Sequence, residues 1–402
     1  MKCIFFFILL AYSGLALADD WPNWRGPRHD GVSLEKGWKP NLTKVAWRAQ
    51  VGVGFSSFAA ADGRVFTLGS TGKKQGNEET FYAMNATTGK LLWKDTYPAA
   101  LVDYLHEGGP CATPTVDGSN VIGQSKDGRL TCYSIGSGRK IWTVNLMGKA
   151  DLPRPPEWGF AASPLVLGDL LIVEATFTLA LNKKTGEEVW RSKAYRPAYG
   201  SPVALEFKGK TYIATLKTDG LVILDAKDGK TVAFQDWRTS FRTNSTTPHI
   251  HGNRIFLSTG YKRGCAMYEF TGTMLKEIYT NRNLSNHMNN SVIIGDHLYG
   301  FDGNTHMQGP KQLVCMRLAD GLVQWRHDGY RCGSLMAVNN QLLVLGEKGN
   351  LAVGSASPEE FKPETEAQVL KGRCWTVPVL ANGRIYCRNA SGDLVCLDVR
   401  AP

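Results

Sequence analysis

Asn85-Ala-Thr-Thr-Gly89-Lys90-Leu-Leu-Trp93 recurs down this chain. Ser134 to Trp142 carries Gly138 and Trp142, Asn182 to Trp190 carries Gly186 and Trp190, and Arg317 to Trp325 carries Gly321 and Trp325. In each copy the tryptophan follows the glycine by four residues. Two degenerate copies lie between them: Asp228-Gly229-Lys230, with Phe234 near the tryptophan position, and Thr271-Gly272-Thr273, with no tryptophan. The glycines at 89, 138, 186, 229, 272 and 321 are 43 to 49 residues apart. A period in the forties, built from short strands and glycine turns, specifies one four-stranded blade of a β-propeller per repeat. The glycine supplies a positive-φ turn, and the tryptophan is large enough to pack between neighbouring blades. These tryptophans therefore read as structural, not as cofactor ligands.

Eight inner-strand starts can be counted, at Phe58, Thr113-Pro114, Ser163-Pro164, Ser201-Pro202, Thr247-Pro248, Ser291, Leu335 and Val377-Pro378. Proline is tolerated at a strand's first residue because no ladder bond is lost there. The eighth blade lacks an outer strand of its own. Lys44 to Val51, with Trp47 placed 46 residues before Trp93, is positioned to supply it. The expectation is an all-β, eight-bladed propeller over residues 44–402, closed by an N-terminal strand that removes the open edge. Blades one and six carry longer excursions, Gly69 to Thr80 and Asp302 to Gln312. Blade seven has Ser357 to Pro363 where its glycine–tryptophan turn should be.

Residues 1–18 read as a cleaved secretory signal: Lys2, an apolar run from Ile4 to Leu10, then Ala16-Leu17-Ala18 before Asp19. The run is shorter than the roughly 20 residues of a spanning helix, and no other segment approaches that length. A membrane-spanning or lipid-anchored attachment is not expected; the protein should be periplasmic or secreted. Residues 19–43, with Trp21 and Trp24 in an otherwise polar stretch, read as a strap packed on the propeller.

The formal net charge of +10 favours acidic partners over basic ones. No nucleic-acid motif is present, and nucleic acid is excluded as a partner of an exported chain. Nine cysteines occur, one of them at position 3. Cys132 and Cys315 lie six residues before their repeat glycines, where other blades have Ala83, Ala180, Ile223 and Ala266, and Cys396 holds the same strand of blade eight. That slot demands a small buried side chain, so these are core thiols. Cys387 and Cys396 flank the turn Ala390 to Asp393 and are candidates for a cross-hairpin disulfide.

In a propeller, the connections from one blade's outer strand to the next blade's inner strand converge on one mouth of the central channel. Here they carry Tyr104, His106 and Glu107; Arg154, Glu157 and Trp158; Arg196 and Tyr199; Arg238 and Arg242; Arg282, Asn286 and His287; Tyr330 and Arg331; Arg373 and Trp375. Arginine forks suit carboxylate or phosphate, and a ring of them focuses positive potential. The candidate ligand or partner site is Arg196, Arg242, Arg282, Arg331, Arg373, Trp158, Tyr199 and Trp375. Cys111 and Cys332 begin inner strands and read as channel-wall thiols. His249-Ile-His251 points two rings to one strand face, but two imidazoles lack the further ligands of a zinc site. It reads as a surface strand, with no metal. His297, His306 and His327 suggest nothing.

The turns at Thr88-Gly89-Lys90 and Thr185-Gly186-Glu187 resemble the tryptophan-docking repeats of quinoprotein alcohol dehydrogenase-like propellers. That family mixes enzymes that use pyrroloquinoline quinone with calcium and cofactor-free scaffolds, among them the propeller subunit of the outer-membrane β-barrel assembly machinery. The opening Trp21-Pro-Asn-Trp24-Arg25-Gly26-Pro27 also resembles a group of exported bacterial repeat proteins. This chain departs from the enzymes, having no adjacent cysteine pair and no Cys-x-x-Cys-His haem motif. It departs from the assembly subunit in lacking a lipid-bearing cysteine.

The resemblance and the rim together imply a non-enzymatic envelope scaffold with no cofactor. It is expected to be a monomer that binds an envelope protein, or an anionic glycan or peptide, at the mouth. The rival reading is a quinone-dependent alcohol or sugar dehydrogenase in which the rim arginines hold the quinone's carboxylates and Trp158 or Trp375 stacks on its plane. Carbohydrate capture by surface aromatics is a third reading.

Overall fold

The structure is a computed structural model, and residues 19–72 and 77–401 are described. The expected signal segment, part of the blade-one excursion and Pro402 lie outside the described residues. Eight sheets follow one another around a ring. Blade one runs from the inner strand Ala59–Ala61 through Arg64–Ser70 and Glu78–Asn85 to the outer strand Leu91–Pro98. The next six blades repeat this antiparallel order. Blade eight takes Val379–Ala381, Arg384–Arg388 and Asp393–Asp398 from the C-terminal part and Val45–Gln50 as its outer strand, with Trp47 opposite Cys396. The fold expected from the repeat is the fold observed, including the closing strand.

Each tryptophan docks on the glycine turn of the following blade. A Cβ added to Gly89 would lie 2.5 Å from Trp47, and one added to Gly138 would lie 2.6 Å from Trp93; Gly186 and Gly229 face Trp142 and Trp190 in the same way. The indole nitrogens donate to carbonyls of the same turns, Trp47 to Ala86 (3.0 Å), Trp93 to Ile135 (3.0 Å), Trp142 to Lys183 (3.1 Å) and Trp190 to Ala226 (3.1 Å). Trp325 donates to Ser357 in the irregular turn of blade seven (2.9 Å). A flat ring covers the bare glycine while its one polar atom satisfies a turn carbonyl, so the repeat motif is an inter-blade weld.

Two slots differ from expectation. In blade four, Ala233 sits opposite Ile223, and Phe234 turns outward, 45% exposed, to stack on Tyr195. In blade five, Tyr279 takes over the docking role against Gly321. The cysteine slot is as expected: Cys132, Cys315 and Cys396 are fully buried, the first two opposite Trp142 and Trp325. The Cys387–Cys396 disulfide does not form. Tyr386 faces Cys396 and Cys387 faces Val395, and neighbouring positions on a strand point to opposite sides.

A second seam runs around the channel. The Thr113 amide donates to Ser163 Oγ (2.9 Å), the Ser163 amide to Ser201 Oγ (2.8 Å), the Ser201 amide to Thr247 Oγ1 (3.2 Å) and the Thr247 amide to Asn290 Oδ1 (3.2 Å). Blades two to six are thus tied by the side chain that precedes each inner strand. Ser163, Ser201 and Thr247 belong to the Ser/Thr-Pro starts of the sequence, and Asn290 stands before Ser291.

The strap does not lie on the outer surface. It crosses the channel. Trp21 pairs with Ala60 of blade one, the Val116 amide of blade two donates to Pro22 (2.7 Å), and Val32–Ser33 adds a parallel fifth strand inside blade seven. Arg25, 5% exposed and at φ 66°, donates to the carbonyls of His29, Asp30 and Ser291 and to His249 Nδ1 (2.7 Å). The histidine pair is therefore divided: His249 is buried as an acceptor for Arg25, while His251 is exposed. Burial holds the His249 imidazole well below its usual range, in keeping with a neutral acceptor.

Candidate functional site at the channel mouth

The inter-blade connections converge as expected and enclose a cavity of about 1040 Å³ including its open mouth. Its wall is aromatic: Phe55, Trp158, Tyr199, Tyr261 and Trp375 line it, with Trp24 of the strap below. Trp24 Nε1 donates to Thr247 Oγ1 (3.0 Å), fixing the indole at the level of the hydroxyl seam. The strap thus forms the floor of the pocket at this level.

The rings hold one another. Phe55 stacks on Trp375 at 5.3 Å, Tyr104 on Trp158 at 4.8 Å, and Phe241 leans on Tyr261 at 4.8 Å. His106, His287 and His306 complete the lining. His106 packs 4.9 Å from Trp158, and His306 stands edge-on to Trp375 and His287 at 5.7 and 5.9 Å. Burial pushes His106 down to about 4 and His287 to about 3, with His306 nearby adding to both shifts, and burial lowers His306 as well. All three are neutral at pH 7. His106 Nδ1 accepts from the Gly108 amide (3.0 Å), which leaves its proton on Nε2.

The sequence candidates divide into two groups. Trp158, Tyr199 and Trp375 are brought together on the pocket wall. The arginines are not in the lining. Arg373 lies over the Trp375 ring at 4.5 Å and pairs with Glu107 at 2.6 Å. Arg331 pairs with Glu347 at 3.0 Å, and the same carboxylate accepts from Trp375 Nε1 at 3.2 Å. Both arginines therefore brace Trp375. Arg196 is held by Asp219. Arg242 and Arg282 are exposed on the connections into blades five and six, with no ion pair among the described residues. Cys111 reaches the pocket wall and Cys332 is buried beside it; burial raises both thiols to about 12, so neither is a thiolate.

Sequence reading missed Trp24 and His306, and placed His106 and His287 on the rim without a role. Trp24 belongs to the strap, whose path no repeat encodes. His306 comes from the excursion between the second and third strands of blade six.

The profile of the family described as outer membrane protein assembly factor BamB matches residues 35–174 and 106–327. The chain belongs to this family. No curated protein matches its sequence. The structure is similar to that of BamB from Moraxella catarrhalis, with a TM-score of 0.63 at 16% identity over 88% of this chain and 98% of that one. It is also similar to quinohemoprotein alcohol dehydrogenase from Comamonas testosteroni, with a TM-score of 0.65 at 12% identity over 95% of this chain and 81% of that one. Identities this low establish the shared propeller and no more.

The likeness to a quinone enzyme makes pyrroloquinoline quinone worth testing against these residues. A tricarboxylate bound with calcium needs cations on the wall and a set of oxygen donors for the metal. Among the described residues, the pocket lining has no Lys, Arg, Asp or Glu. No cluster of three or more His, Cys, Asp or Glu among the described residues could hold a metal ion. The lining does not fit that cofactor. No helix of the described residues is long and apolar enough to cross a membrane.

Proposed function

We propose that this protein is a non-enzymatic binding scaffold of the bacterial cell envelope, exported by its N-terminal segment, that engages a partner protein at the mouth of the propeller. One observation carries the reading: the channel, closed below by the strap, ends in an uncharged aromatic pocket whose collar exposes large apolar side chains. Tyr104, Leu105 and Phe241 are 59%, 49% and 67% exposed around it. An aromatic concavity with a charged rim has the composition of a protein-binding hot spot with a polar rim. Membership of a family described as an assembly factor supports the same class of role. Trp158, Tyr199 and Trp375 are the contact residues of this reading, Arg331 and Arg373 hold Trp375 in place, and Arg196, Arg242 and Arg282 form the outer rim.

The test is site-specific photo-crosslinking in the cell envelope. A crosslinker at Leu105 or Phe241 should give a discrete adduct with one protein, and one at Met274, 61% exposed on the opposite face, should not. Equal labelling from both faces would remove the mouth from consideration. For the dehydrogenase reading, purified protein supplied with quinone and calcium should leave an artificial electron acceptor unreduced. Turnover there would replace the scaffold with an enzyme.

A further inference from the structure

The pocket's chemistry restricts what can enter it. Among the described residues no formally charged side chain lines it, and its histidines are neutral, so a carboxylate or phosphate would lose water without gaining a cation from them. A sugar fares little better. The hydroxyls of Ser163, Ser201 and Thr247 already accept inter-blade amides, and Asn289 Nδ2 donates to the Gly333 carbonyl at 2.6 Å. Each hydroxyl keeps its own O–H donor, but a polyol would share groups already engaged in holding the blades, and displacement by glucose is the check on this. A continuous peptide threading the channel would have to displace the strap, whose Trp24 lines the pocket and is bonded to Thr247. What fits is one flat, uncharged ring entering from above, with the His106 Nε2–H as a neutral donor.

The surface outside the pocket indicates how that ring is presented. Three of the mouth cations are satisfied, Arg331 by Glu347, Arg373 by Glu107 and Arg196 by Asp219, whereas Arg154, Lys348 and Lys371 are exposed further from the pocket lining. On the arc of blades four to six, Arg242, Lys262 and Arg282 are exposed and make no close ion pair among the described residues, although Arg242 adds to the field that lowers Asp219. Arg242 and Lys262 adjoin Thr243 and Tyr261, both on the pocket wall. The arc is thus a positive strip beside an aromatic hole, and an acidic segment complements it.

We infer that the pocket receives a single neutral aromatic side chain of a partner polypeptide, flanked by acidic residues that lie against Arg242, Lys262 and Arg282. This rests on the scaffold reading above and names the part of the partner that docks.

The probe is a blocked, dye-labelled heptapeptide with a central tryptophan between acidic residues, followed by fluorescence anisotropy with the full-length mature protein. Binding is expected below about 1 mM. Replacing the peptide's tryptophan by alanine should weaken binding at least about tenfold. Replacing its acidic residues by serine should weaken it about threefold or more and flatten the salt dependence. Ala161→Trp fills the pocket and should lower affinity at least about tenfold with an unchanged circular dichroism spectrum; Met288→Trp is the second filler if the first does not fold. Binding that ignores the tryptophan, survives both fillers, prefers basic flanks, or is displaced by glucose, choline or inorganic phosphate overturns the inference, as does no binding at about 1 mM. If the peptide fails while Leu105 and Phe241 still crosslink a protein, the occupant is wrong and the scaffold reading stands. If both fail, both are wrong.

Discussion

The indole of Trp24 donates to the Thr247 hydroxyl at 3.0 Å, and the same hydroxyl accepts the Ser201 amide at 3.2 Å. A residue from the strap is thereby bonded into the seam that ties blades four and five. Below it lies a smaller cavity bordered by Trp21, Arg25, Leu335 and Val377. Trp24→Ala should join the two cavities and cost about 2–4 kcal/mol. Trp24→Phe keeps the ring, loses the hydrogen bond and should cost about 1 kcal/mol. Denaturation midpoints of the two variants check this; equal losses would mean that the ring itself contributes nothing.

Gly138 and Gly168 separate docking from backbone strain. Both have positive φ, 70° and 60°, but a Cβ at Gly138 meets Trp93 and one at Gly168 meets nothing within 4 Å. Gly168→Ala should cost about 1–2 kcal/mol, the price of a left-handed alanine. Gly138→Ala adds overpacking of about 1–3 kcal/mol. Thermal midpoints that fall equally would argue against the tryptophan weld.

Arg388 is a buried latch between blades eight and one. Its guanidinium donates to the carbonyls of Ser56 (3.2 Å), Leu68 (2.6 Å) and Gly52 (2.8 Å) and to Thr67 Oγ1 (3.0 Å), with no carboxylate among these partners. Burial lowers it to about 10, which leaves it charged at neutral pH. An ammonium cannot reach acceptors spread this widely, so Arg388→Lys should destabilise nearly as much as Arg388→Met, about 2–5 kcal/mol. Hydrogen exchange should show Val45–Gln50, the closing strand, losing protection first. Full protection in Arg388→Lys would mean the fork geometry is dispensable.

Stability should respond to pH through Glu35. Its carboxylate accepts from the Gly383 amide where the strap meets blade eight, and burial raises it from 4.5 to about 7. Between those values the folded protein keeps a proton that the unfolded chain has released. Its contribution is complete below about 4.5 and is lost as pH rises through 7. Glu79, also buried and raised to about 7, acts in the same direction. His106 and His287 act oppositely, costing stability as pH falls below about 6.5. Glu35→Gln removes one contribution only, so its thermal midpoint should gain on the wild type between pH 4.5 and 7.5. A constant difference would contradict the shifted carboxyl.

The cysteines from 111 onward are all free, and only Cys111 is not buried. Reducing agent should therefore leave the thermal midpoint of the mature protein unchanged. A fall would reveal a disulfide that this arrangement does not contain.

The sequence by itself determined the ring: blade number, closing strand and core thiols. They rest on a local device, a glycine turn with a tryptophan four residues on, repeated often enough to set the period even where blades four, five and seven depart from it. Tertiary structure alone decided the pocket. Trp158, Tyr199 and Trp375 were legible as mouth residues, but Trp24 and His306 come from segments with no common spacing and meet them only because the ring closes and the strap crosses it. Position on a mouth connection marked Arg196, Arg331 and Arg373 as cations, but their effect depends on Asp219, Glu347 and Glu107, which the fold brings within ion-pair distance. A charge's identity is local, whereas its neutralisation and burial are set by whatever the rest of the chain packs against it.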